Sequence, residues 1–170
     1  MKAVLSLALF LVCSLSSFAM DQPLQTMTYG VISEKIEASR DFYAKHFGFK
    51  VVFQNEWYIH MVSDTDARFQ IAFMKPNHPT QPPVFQPGFA GKGLFITLEV
   101  KDVKALYKKI KAAGVTISYE LADEAWGERH FAIVDPNGVA LNISQRLETV
   151  SETYKDGFVK PETEKSAPQD

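Results

Sequence analysis

From Gln25 to Gln145 the apolar residues follow two kinds of spacing, and the same succession of spacings occurs twice. Gln25–Ile32 is apolar-rich and reads as a strand. Ile36, Tyr43 and Phe47 then recur at helical spacing, which predicts a helix over Ile36–Phe47 closed by Gly48. Phe49–Gln54, Trp57–Ser63 and Phe69–Met74 follow as short strands. The second run opens with the strand Leu94–Val100. Asp102 is placed to cap a helix over Val103–Ala113, whose apolar stripe is Val103, Leu106, Tyr107, Ile110 and Ala113, and Gly114 closes it. Strands over Val115–Glu120, Glu128–Val134 and Val139–Gln145 complete the pattern, the last two joined by the turn Asp135-Pro136-Asn137-Gly138. Both runs read βαβββ, so the predicted class is α+β with an internal repeat.

Alternation along the strands assigns their faces. Leu94, Ile96, Leu98 and Val100 face the helix side, as do Phe69, Ile71 and Phe73, Leu141 and Ile143, and Met27, Tyr29 and Val31. The opposite face carries Thr28, Gly30 and Ile32, Gln70, Ala72 and Met74, Phe95, Thr97 and Glu99, and Asn142 and Ser144. A face of this mixed kind is either solvent surface or the lining of a concave pocket, and Phe95 and Met74 among the polar groups favour the pocket. Lys75–Gly93 holds five prolines and reads as a linker between the first unit (25–74) and the second (94–145). Residues 146–170 are polar, with room for a short docking helix near Val150–Tyr154.

Composition narrows the classes. Apolar residues make up 46% and charged residues 22%, which is ordinary for a globular protein. The formal charge is −2 with scattered Lys and Arg, so no nucleic-acid footprint is expected. Residues 1–19 read as a secretory signal: Lys2, the apolar stretch Ala3–Leu15, then Ser17-Phe18-Ala19 with small residues at the cleavage positions. The stretch is shorter than the about 20 residues a bilayer span needs, so no stable membrane insertion is expected after cleavage. Cleavage takes the charge to −3 by removing Lys2 and removes Cys13, the single cysteine, leaving neither disulfide nor thiol chemistry. The expected location is periplasmic or extracellular.

Two βαβββ units, Phe42-Tyr43 before Phe47-Gly48-Phe49, Glu99-Val100-Lys101-Asp102-Val103 opening the second unit, and Trp126-Gly127-Glu128-Arg129-His130-Phe131 leading into Asp135-Pro136-Asn137-Gly138 resemble the glyoxalase/bleomycin resistance/dioxygenase superfamily, also called vicinal oxygen chelate proteins. The late segment is similar to the metal-free, bleomycin-resistance-like branch. The resemblance covers about Gln25–Gln145 and implies an incomplete barrel with helices outside, a concave pocket and a homodimer. It also implies metal ligands, His or Glu, on the first and last strands of each unit. The matching positions here are Thr28, Gln70, Phe95 and Asn142, none of which is His, Glu or Asp. No cofactor is therefore expected, and the set suits a polar organic ligand held by neutral donors and acceptors.

Other residues carry candidate chemistry. His60 and His130 occupy comparable strands and form the alternative, a two-His site for a divalent metal. Glu99, the one acid read on the concave face, is the candidate general base or a rim carboxylate paired with a basic residue. Trp126 is the preferred binding aromatic, with Trp57 a second. Arg129 could meet a carboxylate. His46 is expected to favour the end of its helix as a cation, and His78 to be solvated in the linker. The expected ligand-binding set is Thr28, Gln70, Phe95, Thr97, Glu99, Trp126 and Asn142. The leading expectation is metal-free binding of a small organic molecule. The alternatives are a lyase, isomerase or dioxygenase with a relocated site, and a degenerate protein-interaction module.

Overall fold

The structure, a computed structural model, describes residues 25–158. The predicted signal segment, Cys13 and the end of the polar tail lie outside the described residues. The first unit runs β1 (Met27–Ile32), α1 (Ile36–Phe47), β2 (Phe49–Gln54), β3 (Tyr58–Ser63) and β4 (Phe69–Met74). The second runs β5 (Phe95–Glu99), α2 (Val103–Ala112), β6 (Ile117–Glu124), β7 (Glu128–Val134) and β8 (Ala140–Arg146), followed by a short helix α3 (Glu152–Lys155). Each unit makes one four-stranded sheet, in the orders β1-β4-β3-β2 and β5-β8-β7-β6. The outer pairs β1–β4 and β5–β8 are parallel and the rest antiparallel.

Each helix covers the apolar face of its own sheet. α1 buries Ile36 and Tyr43 over Ile59, Met61, Ile71 and Phe73, with Tyr43 and Phe73 rings 5.5 Å apart. Gly48 ends α1 in the left-handed region (φ 72°), a conformation glycine adopts without strain. α2 starts where the Asp102 carboxylate accepts from the Ala105 N–H at 2.9 Å. It buries Val103 and Ile110 near Phe131, Ile133, Leu141 and Ile143.

The units are tied through α1 and the turn before β8. Lys35 donates to the Pro136 carbonyl at 2.8 Å, Asn137 donates to Ser39 Oγ at 2.9 Å, and the Tyr43 hydroxyl donates to Asp135 at 3.2 Å. Asp135, almost fully buried, also accepts at one oxygen from the Asn137 and Val139 N–H groups at 2.8 and 2.9 Å. The turn that the sequence marks as a connector is thus also the joint between the units.

Three expectations change. β6 runs to Glu124 and not to Glu120, because Asp123 and Glu124, acids that read as loop, pair across the hairpin with Arg129 and Glu128. Arg129 therefore spends its guanidinium on the Asp123 carboxylate. His46 does not meet the helix end as a cation: it is buried at 8% exposure against Phe42, and loss of solvent lowers its pKa, outweighing the dipole. His78 is stacked on Trp57 at 4.0 Å and 18° between planes, so that Trp57 is committed to the linker. Within the linker, Pro83–Phe85 forms a single turn of tight helix. After β8 the chain returns to the β6–β7 turn, with Leu147 N–H on the Gly127 carbonyl and Ser151 N–H on that of Ala125.

Candidate functional site

The sheet faces opposite the helices carry two related side-chain networks. In the first unit the Thr28 hydroxyl donates to Gln70 Oε1 at 2.8 Å, and His60 Nε2 lies 3.0 Å from the same oxygen. The Gln70 amide nitrogen donates to the Ala67 carbonyl at 2.9 Å. That bond fixes which end of the amide is the acceptor, so His60 carries its proton on Nε2.

In the second unit Asn142 donates to Thr97 Oγ1 at 3.3 Å, and its oxygen faces His130 Nδ1 at 2.6 Å. The other ring nitrogen of His130 lies 3.2 Å from Glu124, which also accepts from the Tyr119 hydroxyl at 2.6 Å. Tyr119 first, and His130 after it, hold the Glu124 carboxyl below the usual carboxylate range. The same bond raises the Tyr119 phenol. His130 thus bridges Asn142 and the Glu124 carboxylate through its two ring nitrogens.

Strand register shows that the two networks are counterparts. Thr28 pairs with Gln70 as Thr97 pairs with Asn142, and His60 pairs with Ala72 as His130 pairs with Ser144. The counterpart of Thr28 is therefore Thr97. Phe95, which the motif match put at that position, pairs with Ala140 at the start of β5 and is 67% exposed. The strands stand at different offsets from their helices, so the position that answers Thr28 lies one full pleat period beyond Phe95.

These residues test the metal expectation directly. Thr28, Gln70, Thr97 and Asn142 are neutral, and each already bonds a neighbouring side chain. His60 and His130 face the same sides of their sheets, but each is engaged within its own unit. Among the described residues no three His, Cys, Asp or Glu side chains are grouped to hold a metal. The donor chemistry at the superfamily's ligand positions does not fit a divalent transition metal.

The remaining expected residues separate. Glu99 forms an exposed ion pair with Arg146 at 3.2 Å, the rim arrangement rather than that of a desolvated base. It is not the only acid on this face, since Glu124 bonds His130 there; ending β6 at Glu120 hid it. Trp126 donates to Glu128 at 3.3 Å and presents its edge to His130 and Tyr154. It borders a hollow of about 370 Å³ covered by Val150, Tyr154 and Phe158.

A larger cleft, about 630 Å³, opens where the beginnings of β1 and β4 face β5. Gln70 and Thr97 from the two networks reach it, among Tyr29, Phe69, Ile71, Ile96 and Leu98. Its size suits a small organic molecule, and its lining is mainly apolar with few polar groups. Of the residues the sequence nominated, the structure thus places Gln70 and Thr97 at one cavity, with Thr28 and Asn142 bracing them from behind. Tyr29 lines the cleft and was not nominated, because alternation alone assigns it to the helix side.

The fold and the cleft define a duplicated βαβββ protein with mixed sheets, helices outside and a cavity between its units. The family model of the Glyoxalase/Bleomycin resistance protein/Dioxygenase superfamily matches residues 25–143, and the chain belongs to that superfamily. No curated protein sequence matches it. Among solved structures it is similar to a glyoxalase/bleomycin resistance protein/dioxygenase from Nocardioides, with 17% identity over 79% of this chain and 91% of that one and a TM-score of 0.64. A lactoylglutathione lyase from Agrobacterium tumefaciens is 16% identical over 73% of this chain and 95% of its own, with a TM-score of 0.59. The antibiotic binding protein TnmS3 from Streptomyces sp. CB03234 is 21% identical over 73% and 97%, with a TM-score of 0.56. At these identities the likeness shows the fold alone.

Proposed function

We propose that this is an exported protein that binds, and so sequesters, a small organic molecule in the cleft between its units, without a metal and as a homodimer. The observation that carries the reading is the donor set. At the positions where the fold would place metal ligands stand Thr28, Gln70, Thr97 and Asn142, knit into neutral hydrogen bonds beside an apolar cavity. Such a site recognises an uncharged ligand by shape and a few polar contacts. TnmS3, which has the same fold, is named as an antibiotic binding protein. Export is supported by the signal pattern of residues 1–19. A homodimer is supported by the exposed apolar side chains Val52, Phe53 and Phe95 on the sheets.

The test is elemental analysis of protein purified without chelators or added metal, followed by ligand titration watched by nuclear magnetic resonance. Metal below about a tenth of an equivalent, together with saturable shifts at cleft residues, is the expected result. A stoichiometric transition metal overturns the metal-free reading.

One observation favours a second reading. His130, held between Asn142 and the Glu124 carboxylate, is arranged as an acid–base group. An isomerase or lyase reading would place the chemistry there, and would require Glu124→Gln to abolish turnover while leaving ligand binding intact.

A further inference from the structure

The hairpin between β6 and β7 builds a second hollow with the chain that returns after β8. Gly127 takes φ 91° in the turn, and its missing Cβ leaves room for Val150. Two main-chain bonds fix the returning chain: Leu147 donates to the Gly127 carbonyl at 2.8 Å, and Ser151 to that of Ala125 at 2.9 Å. Tyr154 on α3 is thereby brought to Trp126, with ring centres 6.2 Å apart and planes 70° apart. Phe158 lines the same hollow, about 370 Å³, which shares no lining residue with the cleft. All three aromatic side chains remain exposed, so the returning chain gathers them without filling the space they border.

Acidic charge collects at the same place. Glu124 and Glu128 stand directly opposite one another across the hairpin, a pairing that like charge makes unfavourable. Glu124 is bonded by Tyr119 and His130. Glu128 lines the hollow, and its Oε2 accepts from the Trp126 indole N–H at 3.3 Å, which holds the carboxylate beside the ring. Among the described residues no cation lies within ion-pair distance of Glu128. Arg146, which pairs with it in register and also borders the hollow, turns its guanidinium to Glu99 at 3.2 Å.

Ring faces and an uncompensated carboxylate around one hollow attract the same kind of group, an organic cation. A primary ammonium is strongly hydrated, whereas methyl groups on nitrogen let the charge meet aromatic rings with less water to lose. We infer that the hollow of Trp126, Tyr154, Phe158 and Glu128 binds a small methylated ammonium cation of the choline type, its methyl groups on the rings and its charge balanced by Glu128. This site is additional to the cleft between the units and does not depend on what the cleft binds.

Choline and its uncharged isostere 3,3-dimethyl-1-butanol are titrated separately into the purified protein while the Trp126 indole N–H resonance is followed. The Trp57 indole, stacked on His78, serves as the internal reference. Choline is expected to shift Trp126 saturably and to bind about tenfold more tightly than the alcohol. Glu128→Gln keeps an acceptor for the indole but removes the charge; it should bring choline down to the affinity of the alcohol. Its Tm should be unchanged or raised, because Glu124 then faces a neutral partner. Tyr154→Leu should weaken choline several-fold and the alcohol little. Phosphatidylcholine vesicles form a further arm: a Trp126 response to them as well as to choline assigns the cation to a lipid headgroup, a response to choline alone assigns it to a soluble ligand, and both support the site. Equal affinity for choline and the alcohol, undiminished choline binding in Glu128→Gln, or a Trp126 resonance that choline leaves unmoved overturns it.

Discussion

Replacing Asp135 by alanine should cost this protein much of its stability, because one side chain serves a turn, a helix and the joint between units. Its carboxylate receives four hydrogen bonds, from Tyr43, from the Val139 N–H and from both the main chain and the side chain of Asn137. Two of those donors have nowhere else to turn: Val139 is wholly buried and Tyr43 is 1% exposed. A buried donor left unpaired costs about 1–3 kcal/mol. The Asn137 donors lie nearer to solvent and recover part of their loss. The expected cost of Asp135→Ala is about 3–5 kcal/mol, against a total stability on the order of 5–15 kcal/mol for a domain. Asp135→Asn keeps one acceptor oxygen and should cost only about 1–2 kcal/mol. Urea unfolding followed by circular dichroism reads both, with the midpoint falling and the m-value constant. Tyr43→Phe supplies the control: combined with Asp135→Ala it should add little, since both remove the same bond, giving a coupling of about 1 kcal/mol. A loss below about 1 kcal/mol for Asp135→Ala, or equal losses for the alanine and asparagine variants, would refute the view that this carboxylate joins the units.

Other consequences follow from single residues. His46 has a folded-state pKa below its unfolded value, so protons favour the unfolded chain; its contribution is complete above about pH 6.5 and is lost as the pH falls through the depressed value. Tm measured between about pH 7.5 and 5 should therefore fall less steeply in His46→Gln, and an unchanged slope would contradict the burial argument. Gly127 has φ 91°, and a Cβ there would stand 2.6 Å from Val150 Cγ2. Gly127→Ala should cost about 1–3 kcal/mol and loosen the segment after Leu147, seen as faster proteolytic cleavage, with Val150→Ala restoring part of the loss. Glu124→Gln should lower the Tyr119 phenol toward its ordinary value in an ultraviolet titration, because the carboxylate bond is what raises it.

The repeat was legible because its signals are local. Periodicity placed α1 over Ile36–Phe47, and Gly48, Asp102 and the turn at 135–138 marked the punctuation that the structure shows. What escaped depends on residues distant in the chain. Asp123 and Glu124 look like loop until Arg129 and His130 are known to lie across the hairpin from them. His46 sits at the right place to complement a helix dipole, but whether Phe42 and its surroundings exclude water is a tertiary fact. The sequence of Tyr29 is that of a helix-side residue, and it is one; that a cleft opens beside it depends on how β5 approaches the first sheet. Thr97 stood among the expected pocket residues but was not matched to Thr28, because only the parallel register shows that the two answer to each other.

That register bears on how a duplicated frame could exchange one kind of site for another. The Thr28–Gln70 bond crosses from β1 to β4, and the Asn142–Thr97 bond crosses from β8 to β5. Both therefore brace parallel pairs at sheet edges, where side-chain bonds add to a slightly weaker ladder. Neutral residues at these positions hold the strands by bonding one another, whereas a set of carboxylates would repel until a cation arrived. The units differ in the direction of the Thr bond, in the histidine nitrogen that meets the amide, and in what completes each network: the Ala67 carbonyl in the first and the Glu124 carboxylate in the second. On the proposed reading, the polar groups of the old ligand positions stiffen the cleft walls. The apolar lining comes from the helix side of the strands, through Tyr29, Ile71, Ile96 and Leu98, so the shape of the cleft is set there.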